Sequence, residues 1–400
     1  MREIRTWVQR LLSSSTAQAT AIRMVATGAG VVAGILMARL AGAETKGQFS
    51  SVVAIANLVF AAINLEIGPE LVRRGRQESS QASTFRWVVP FWLWYLGVGI
   101  LVSAVLWPIS RFAAGVVVAS IAVTCYTQAS ILLNGRFGPR AAAVQVLVQQ
   151  VALTLSTVVY YFLGILTARL VFSLVALSML AGLGYAVIRA VTARGSTFPL
   201  EERKFSIVLG GLPWVPNRLG QMALQRIDLV IVFFLLGAGP AGVYSVAVSI
   251  GALMQILPMQ YGLSAQHLAA NKVDHSLRSL VLKTLGFGVV SAVIVAGLGH
   301  FLIVVMYGDE FAGAYPLLLA LLPAIVVFPA YQTVCNSFRM TRGHHMATYS
   351  ALLGVVSLLL AAMVAPWGSG AGRIAVASSI GSAVAFVSIV VMARMSGARG

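Results

Sequence analysis

The sequence predicts an all-α membrane protein: twelve transmembrane helices in two six-helix lobes related by a pseudo-two-fold axis along the membrane normal. Three observations predict it. Of 400 residues, 59% are hydrophobic and 10% charged, with mean hydropathy +0.89, whereas an ordinary soluble domain carries roughly 25% charged residues. A dozen apolar stretches of about 20 residues, the length of a bilayer span, follow one another between short charged or Gly/Pro-marked breaks. A segment near the start of the chain also recurs at a constant offset halfway along it.

The spans fall at roughly 17–38, 48–72, 87–107, 112–134, 141–163, 169–189, 206–236, 241–266, 283–306, 314–338, 346–365 and 371–393. The formal charge of +17 would suggest a nucleic-acid partner in a soluble protein, but these cations sort by side. Even-numbered breaks carry Arg73, Arg74, Arg76, Arg86, Arg136, Arg140, Arg189, Arg194, Arg203, Lys204, Lys272, Arg278, Lys283, Arg339 and Arg342, and the termini add Arg2, Arg5, Arg10, Arg394 and Arg399. Odd-numbered breaks hold Arg39, Lys46, Arg111, Arg169 and Arg373, with an acidic Asp309-Glu310 pair in one of them. Twenty basic residues against five make the first side the inner one. Both termini are therefore expected in the cytoplasm, and no nucleic-acid partner is needed.

Before the first span, Ile4, Trp7, Val8, Leu11 and Leu12 at helical spacing beside Arg2, Arg5 and Arg10 suggest a short helix on the inner surface; an ordinary cytoplasmic turn is the alternative. A polar Ser/Thr/Gln run follows, so no cleavable signal is expected. Cys125 and Cys335 lie in apolar spans and read as small hydrophobes, with no disulfide expected.

Residues 40–55, LAGAETKGQFSSVVAI, align without gaps on residues 235–250, LLGAGPAGVYSVAVSI, at an offset of 195. Phe49 meets Tyr244, and Arg23 falls on Arg218. Chance agreement in so apolar a sequence is the alternative. An even number of spans per half orients both halves alike. Residues 1–190 then form an N-terminal lobe, 191–205 a basic cytoplasmic linker and 206–400 a C-terminal lobe, with a substrate path between them.

An ionisable group within a span costs about 2.5–3.5 kcal/mol on insertion scales, so it faces a partner or a wet cavity. Six stand out: Arg23, Glu66, Glu70, Arg218, Arg226 and Asp228. At about 100° per residue, Trp214, Asn217, Arg218, Gln221, Gln225 and Asp228 share a third of the seventh helix's circumference, as a lumen-lining face would. Pro213 and Pro216 precede the stripe and should kink or break the helix. Helix 1 has Thr16, Thr20, Arg23 and Thr27 on one face, then Gly30 and Gly34 at a close-packing spacing.

Arginine offers planar, bidentate donors suited to phosphate oxygens, so Arg23 and Arg218 fit a diphosphate headgroup, with Asn217, Gln221 and Gln225 beside them. The alternative for Arg23 is an ion pair with Glu66. Arg226 is as well read as snorkelling to the interface. Glu70, four residues from Arg74, reads as an interfacial ion-pair residue, whereas Glu66 or Asp228 could bind a coupling cation or proton. Gln145 and Gln149 form a polar patch that interhelical hydrogen bonding would explain as well. Trp87, Trp92 and Trp107 read as an aromatic belt, and His344 and His345 as solvated loop residues. No GxxxxGK[ST] loop and no clustered His, Asp and Glu occur, so no cofactor, metal or enzyme activity is expected.

Four segments carry a resemblance: ARLAGAETKGQFS at 38–50, EIGPELVRRG at 66–75, IDLVIVFFLLGAGPAGVYSVA at 227–247 and MYGDEFAGAYPLL at 306–318. The chain resembles, over nearly its full length, the polysaccharide-export and O-antigen flippase family of the multidrug/oligosaccharidyl-lipid/polysaccharide (MOP) superfamily. That resemblance implies alternating access between two lobes and a cationic lumen receiving an isoprenoid-diphosphate-linked oligosaccharide in the bacterial cytoplasmic membrane. Membrane lipids and other membrane proteins of polysaccharide assembly are the implied partners. Short loops and only three arginines inside the spans depart from the family pattern. They keep open a cation-coupled multidrug and toxin exporter, in which Glu66 and Asp228 would dominate. A non-transporting scaffold of a glycan-assembly complex is the third reading. The lipid II flippase branch resembles a fourteen-span arrangement, and this chain has room for twelve.

Overall fold

The structure is a computed structural model that describes residues 15–64, 66, 84–167, 170–192, 209–256, 258–259, 277–338, 344–364 and 370–395. Its helices are α1 Ser15–Ile63, α2 Thr84–Leu106, α3 Arg111–Phe137, α4 Pro139–Phe162, α5 Val171–Thr192, α6 Val215–Leu236, α7 Ala238–Met254, α8 Leu277–Tyr307, α9 Ala314–Phe338, α10 His344–Val364 and α11 Ala371–Met395. Among the described residues nine stretches are long and apolar enough to cross a membrane, and Trp92–Leu106 and Ala238–Met254 are shorter apolar helices. The first of the nine, Gln18–Ile63, is two helices joined at Gly42, which brings the helical segments to twelve. The protein is a multi-pass, all-helical membrane protein.

The first two spans need no loop. The sequence reading left 39–47 between them, but the backbone turns at the single residue Gly42 (φ 75, ψ 179), a region closed to residues with a Cβ. Gly237, at the offset of 195 in the repeat, has φ 93 and ψ 179 between α6 and α7. The two halves of the repeat thus bend at equivalent glycines with the same geometry.

Contacts divide the chain into two compact units. Met1–Leu40 with Ile55–Val215 form unit 1, and Ala41–Ala54 with Pro216–Gly400 form unit 2. In unit 1, Trp92 and Tyr95 of α2 pack with Ile121, Cys125, Leu132 and Leu133 of α3 and Ala142 of α4. In unit 2, Leu224, Phe328, Tyr331, Cys335, Ala351 and Ala385 form the corresponding core across α6, α9, α10 and α11. Both cysteines are buried and free.

Lipid offers helices no hydrophobic reward for meeting, so small residues that let backbones approach do the packing. An ideal Cβ on Gly354 of α10 would lie 2.7 Å from Gly381 O of α11, and one on Gly381 2.7 Å from Gly354 O. The opposite faces are apolar and open: Trp94, Ile100, Leu101 and Val105 of α2 and Val293 and Phe301 of α8 are exposed, as lipid-facing residues are.

Two expectations change. Trp92 is no belt residue, because its ring is buried and its Nε1 donates to Gln128 Oε1 at 2.9 Å; Trp107 stays exposed, with the Arg111 guanidinium 5.9 Å from its ring centroid. His344 opens α10 instead of lying in a loop. Arg226 is part-exposed, with its Nε buried and without a hydrogen-bond partner. The surface-helix reading at 4–12, Glu70, Arg74 and the Trp87 side chain lie outside the described residues.

Candidate functional site

In unit 1, Arg23 sits partly buried on the first arm of α1. Thr27 Oγ1, one turn on, donates to Arg23 O at 2.8 Å. The helix then presses on α4: an ideal Cβ on Gly30 would lie 2.6 Å from Gln150 Oε1, and Thr154 Oγ1 donates to Ala29 O at 3.1 Å. Gln145 Nε2 donates to Tyr126 O at 3.1 Å, and Gln149 Nε2 to Ser178 Oγ of α5 at 3.4 Å.

The C-terminal end of α1 is tied down by a chain of side chains. The Trp92 indole can only donate, so Gln128 presents it Oε1 and turns its NH2 to Asn64 Oδ1, at 2.9 Å for each bond. Tyr95 OH donates to Ile63 O at 2.9 Å. Two residues past Asn64, Glu66 is 5% exposed and holds φ 47. It is the one non-glycine residue with positive φ among those described, a conformation that stores strain where the surroundings enforce it.

In unit 2, the span Leu209–Leu236 tightens into a 3-10 turn at Leu212–Trp214, around Pro213, and α6 starts at Val215 with Pro216 in its first turn, where no N–H is needed. On α6, Asn217 and Gln221 are buried, with Gln221 Nε2 donating to Asn217 Oδ1 at 3.1 Å, while Arg218 and Gln225 are partly buried. Asp228 is 4% exposed. Its Oδ2 accepts from Tyr244 OH at 2.7 Å and Ser378 Oγ at 2.9 Å, and its Oδ1 from Leu229 N at 2.7 Å. Arg226, two residues earlier on α6, is an opposite charge on the same helix. Asp228 therefore joins α6 to α7 and α11.

The two repeated turns meet within unit 2. An ideal Cβ on Gly47 would lie 1.8 Å from Ala238 O, and one on Gly242 2.0 Å from Ala43 O. Gly47 corresponds to Gly242, and Ala43 to Ala238, at the offset of 195. The contact is reciprocal: each copy's glycine receives the other's alanine carbonyl. Lys46, counted by sequence among the outer-break cations, is buried beside this contact with Nζ 5.9 Å from the Phe49 ring centroid.

Sequence reasoning singled out Asp228 but missed Tyr244 and Ser378 as its partners. Tyr244 had been matched to Phe49 only as an aromatic pair, and its hydroxyl was the available signal. Ser378 looks like any small residue of an apolar span. Asn64 and Gln128 were likewise passed over.

No family model and no curated protein matches the sequence. Solved structures do match. The chain is similar to an inward-facing multidrug resistance MATE family transporter of the MOP superfamily, with 13% identity, TM-score 0.68, and coverage of 96% of this chain and 98% of that one. It is similar to the lipid II flippase MurJ in its inward closed conformation, with 15% identity, TM-score 0.68, and coverage of 94% and 87%. An outward-facing MATE transporter matches at 14% identity and TM-score 0.66 over 97% of both chains. The likeness is one of fold: the chain folds as these MATE and MurJ transporters do.

Proposed function

We propose that this protein flips an isoprenoid-diphosphate-linked oligosaccharide from the inner to the outer leaflet of the bacterial cytoplasmic membrane, by alternating access, with both termini in the cytoplasm. The observation that carries this reading is the pair Arg23 and Arg218, one in each unit and 195 residues apart, at equivalent positions of the internal repeat. A guanidinium within a span is costly, and a substrate bearing two phosphoryl groups is a chemical reason to keep one in each half. Asn217, Gln221 and Gln225 add neutral donors and acceptors along α6. Asp228, and less directly Glu66, are the groups through which a proton or cation gradient would act. No cofactor enters this scheme.

The test is flipping of a fluorescent undecaprenyl-diphosphate oligosaccharide in liposomes. Wild type should flip it, and the folded Arg23→Ala/Arg218→Ala variant should lose at least tenfold in rate, the scale of one lost charge-assisted contact of about 1.5–3 kcal/mol. The buried Asp228 favours a second reading, cation-coupled export of drugs. Under that reading wild type fails to flip the lipid but extrudes cationic dyes, and Asp228→Asn abolishes extrusion.

A further inference from the structure

Residues Ala41–Ala54 pack in unit 2, yet the chain on both sides of them, Met1–Leu40 and Ile55–Val215, belongs to unit 1. The segment is thus a strap. Its twin at the offset of 195 is residues 236–249, which carry the Gly237 turn and most of α7, and the chain on both sides of that twin stays in unit 2.

The two copies differ in what they bury. Lys46 is 4% exposed and Ser51 0%, and their counterparts Ala241 and Val246 are both 0% exposed. Where the twin buries a methyl and an isopropyl group, the strap buries an ammonium and a hydroxyl. Ser51 Oγ has no hydrogen-bond partner. Among the described residues Lys46 has only the Phe49 ring, one turn along the same helix, with Nζ 5.9 Å from its centroid. That is the far limit of a cation–π contact, which offsets only part of the cost of taking an ammonium out of water.

Backbone contacts hold the strap down. Gly47 lies against Ala238 O and Gly242 against Ala43 O. Ala43 N donates at 3.4 Å to Glu310 Oε1, from the 3-10 turn Asp309–Phe311. Close fit of the two backbones favours the contact, and the two unsatisfied groups oppose it, because an unmade hydrogen bond or an unpaired charge in an apolar interior forfeits the group's hydration. Released from the contact, a lysine stem can carry its ammonium to water or to lipid phosphate.

We infer that residues 41–54 form a reversible strap, docked on α7 in this structure, and that Lys46 and Ser51 hold its docked and undocked forms close in free energy. The twin, apolar at both positions, stays packed. The inference concerns a conformational equilibrium and does not depend on which substrate the protein carries.

Spin labels at two exposed positions, Glu44 and Pro240, read the distance between strap and α7. They are introduced by Glu44→Cys and Pro240→Cys in a Cys125→Ala/Cys335→Ala background and measured by electron paramagnetic resonance in proteoliposomes. The otherwise unaltered strap should show two distance populations. Lys46→Met, which keeps the side chain's length and removes its charge, should reduce the longer-distance fraction at least tenfold. Ser51→Val should act in the same direction by less. Gly47→Ala, which puts a methyl group against Ala238 O, should do the reverse and make the longer distance dominant. Should Lys46→Met fail to fold, Lys46→Ala, which copies the twin, reads the same fraction. A single distance with Lys46 in place, or a longer-distance fraction that loss of the charge leaves unchanged or raises, overturns the strap. Lys46→Arg should keep both populations; if it follows Lys46→Met, the role given to the charge is overturned. A wild type that flips no lipid would overturn the function proposed above and leave these distances as they are.

Discussion

Asp228 is buried in a span and held by donors from three directions: Tyr244 on α7, Ser378 on α11 and its own helix at Leu229. Removing a donor from this carboxylate and removing the carboxylate itself are unequal changes. Tyr244→Phe and Ser378→Ala each delete one hydrogen bond, whereas Asp228→Ala strands two buried hydroxyls and leaves Arg226 without its counter-charge. We expect each hydroxyl deletion to cost about 1 kcal/mol and Asp228→Ala about 2–4 kcal/mol. Thermal unfolding of the purified protein in detergent would order the three; equal losses would mean that the network does not bear on Asp228. Arg23, Glu66, Arg218 and Asp228 were legible in the sequence because an ionisable residue stands out in an apolar run. Their surroundings were not, because Tyr244, Ser378 and Asn64 are ordinary residues until the fold brings them to a charge or a free carbonyl.

At the scale of elements, breaks in the helices are answered locally. Pro329 inside α9 has no N–H to give Ile325 O, and Gln255 Nε2 donates to that carbonyl instead at 3.4 Å. Pro323, six residues earlier, leaves Leu319 O without its helical donor, and Ser379 Oγ of α11 donates to the adjoining carbonyl, Ala320 O, at 2.7 Å. Gln255→Ala should therefore cost about 0.5–1 kcal/mol in the wild type and almost nothing in a Pro329→Ala background, where the backbone restores its own bond; a double-mutant cycle measures the difference. The turns at Gly42 and Gly237 make a paired prediction. Both glycines hold φ beyond 70° with ψ 179, so Gly42→Ala and Gly237→Ala should each destabilise by about 1–3 kcal/mol. Near-equal shifts in melting temperature would support their equivalence, and a loss at only one would argue against it. The sequence repeat pointed to this correspondence. That each copy's Gly47 or Gly242 receives the other's alanine carbonyl required coordinates, since sequence similarity says nothing about which surfaces meet.

For the whole molecule, the proposed orientation can be read by accessibility. With buried Cys125 and Cys335 replaced by alanine, a cysteine at Gly164 or Gly370 should react with an impermeant maleimide from outside the cell. One at Arg394 should react only after permeabilisation. The reverse pattern would invert the topology derived from the arginine and lysine distribution. The sequence by itself determined the class, the order of spans and the repeat, because a bilayer imposes its demands locally: each crossing must be apolar and must satisfy its own backbone within one helix. Tertiary structure alone decided that residues 41–54 pack with unit 2, that Trp92 turns inward to Gln128, and that Asp228 finds Ser378 across 150 residues of chain. Those outcomes depend on which helix faces come together, and in lipid that choice rests on small-residue fit and hydrogen-bond pairing between distant segments, which hydropathy does not encode.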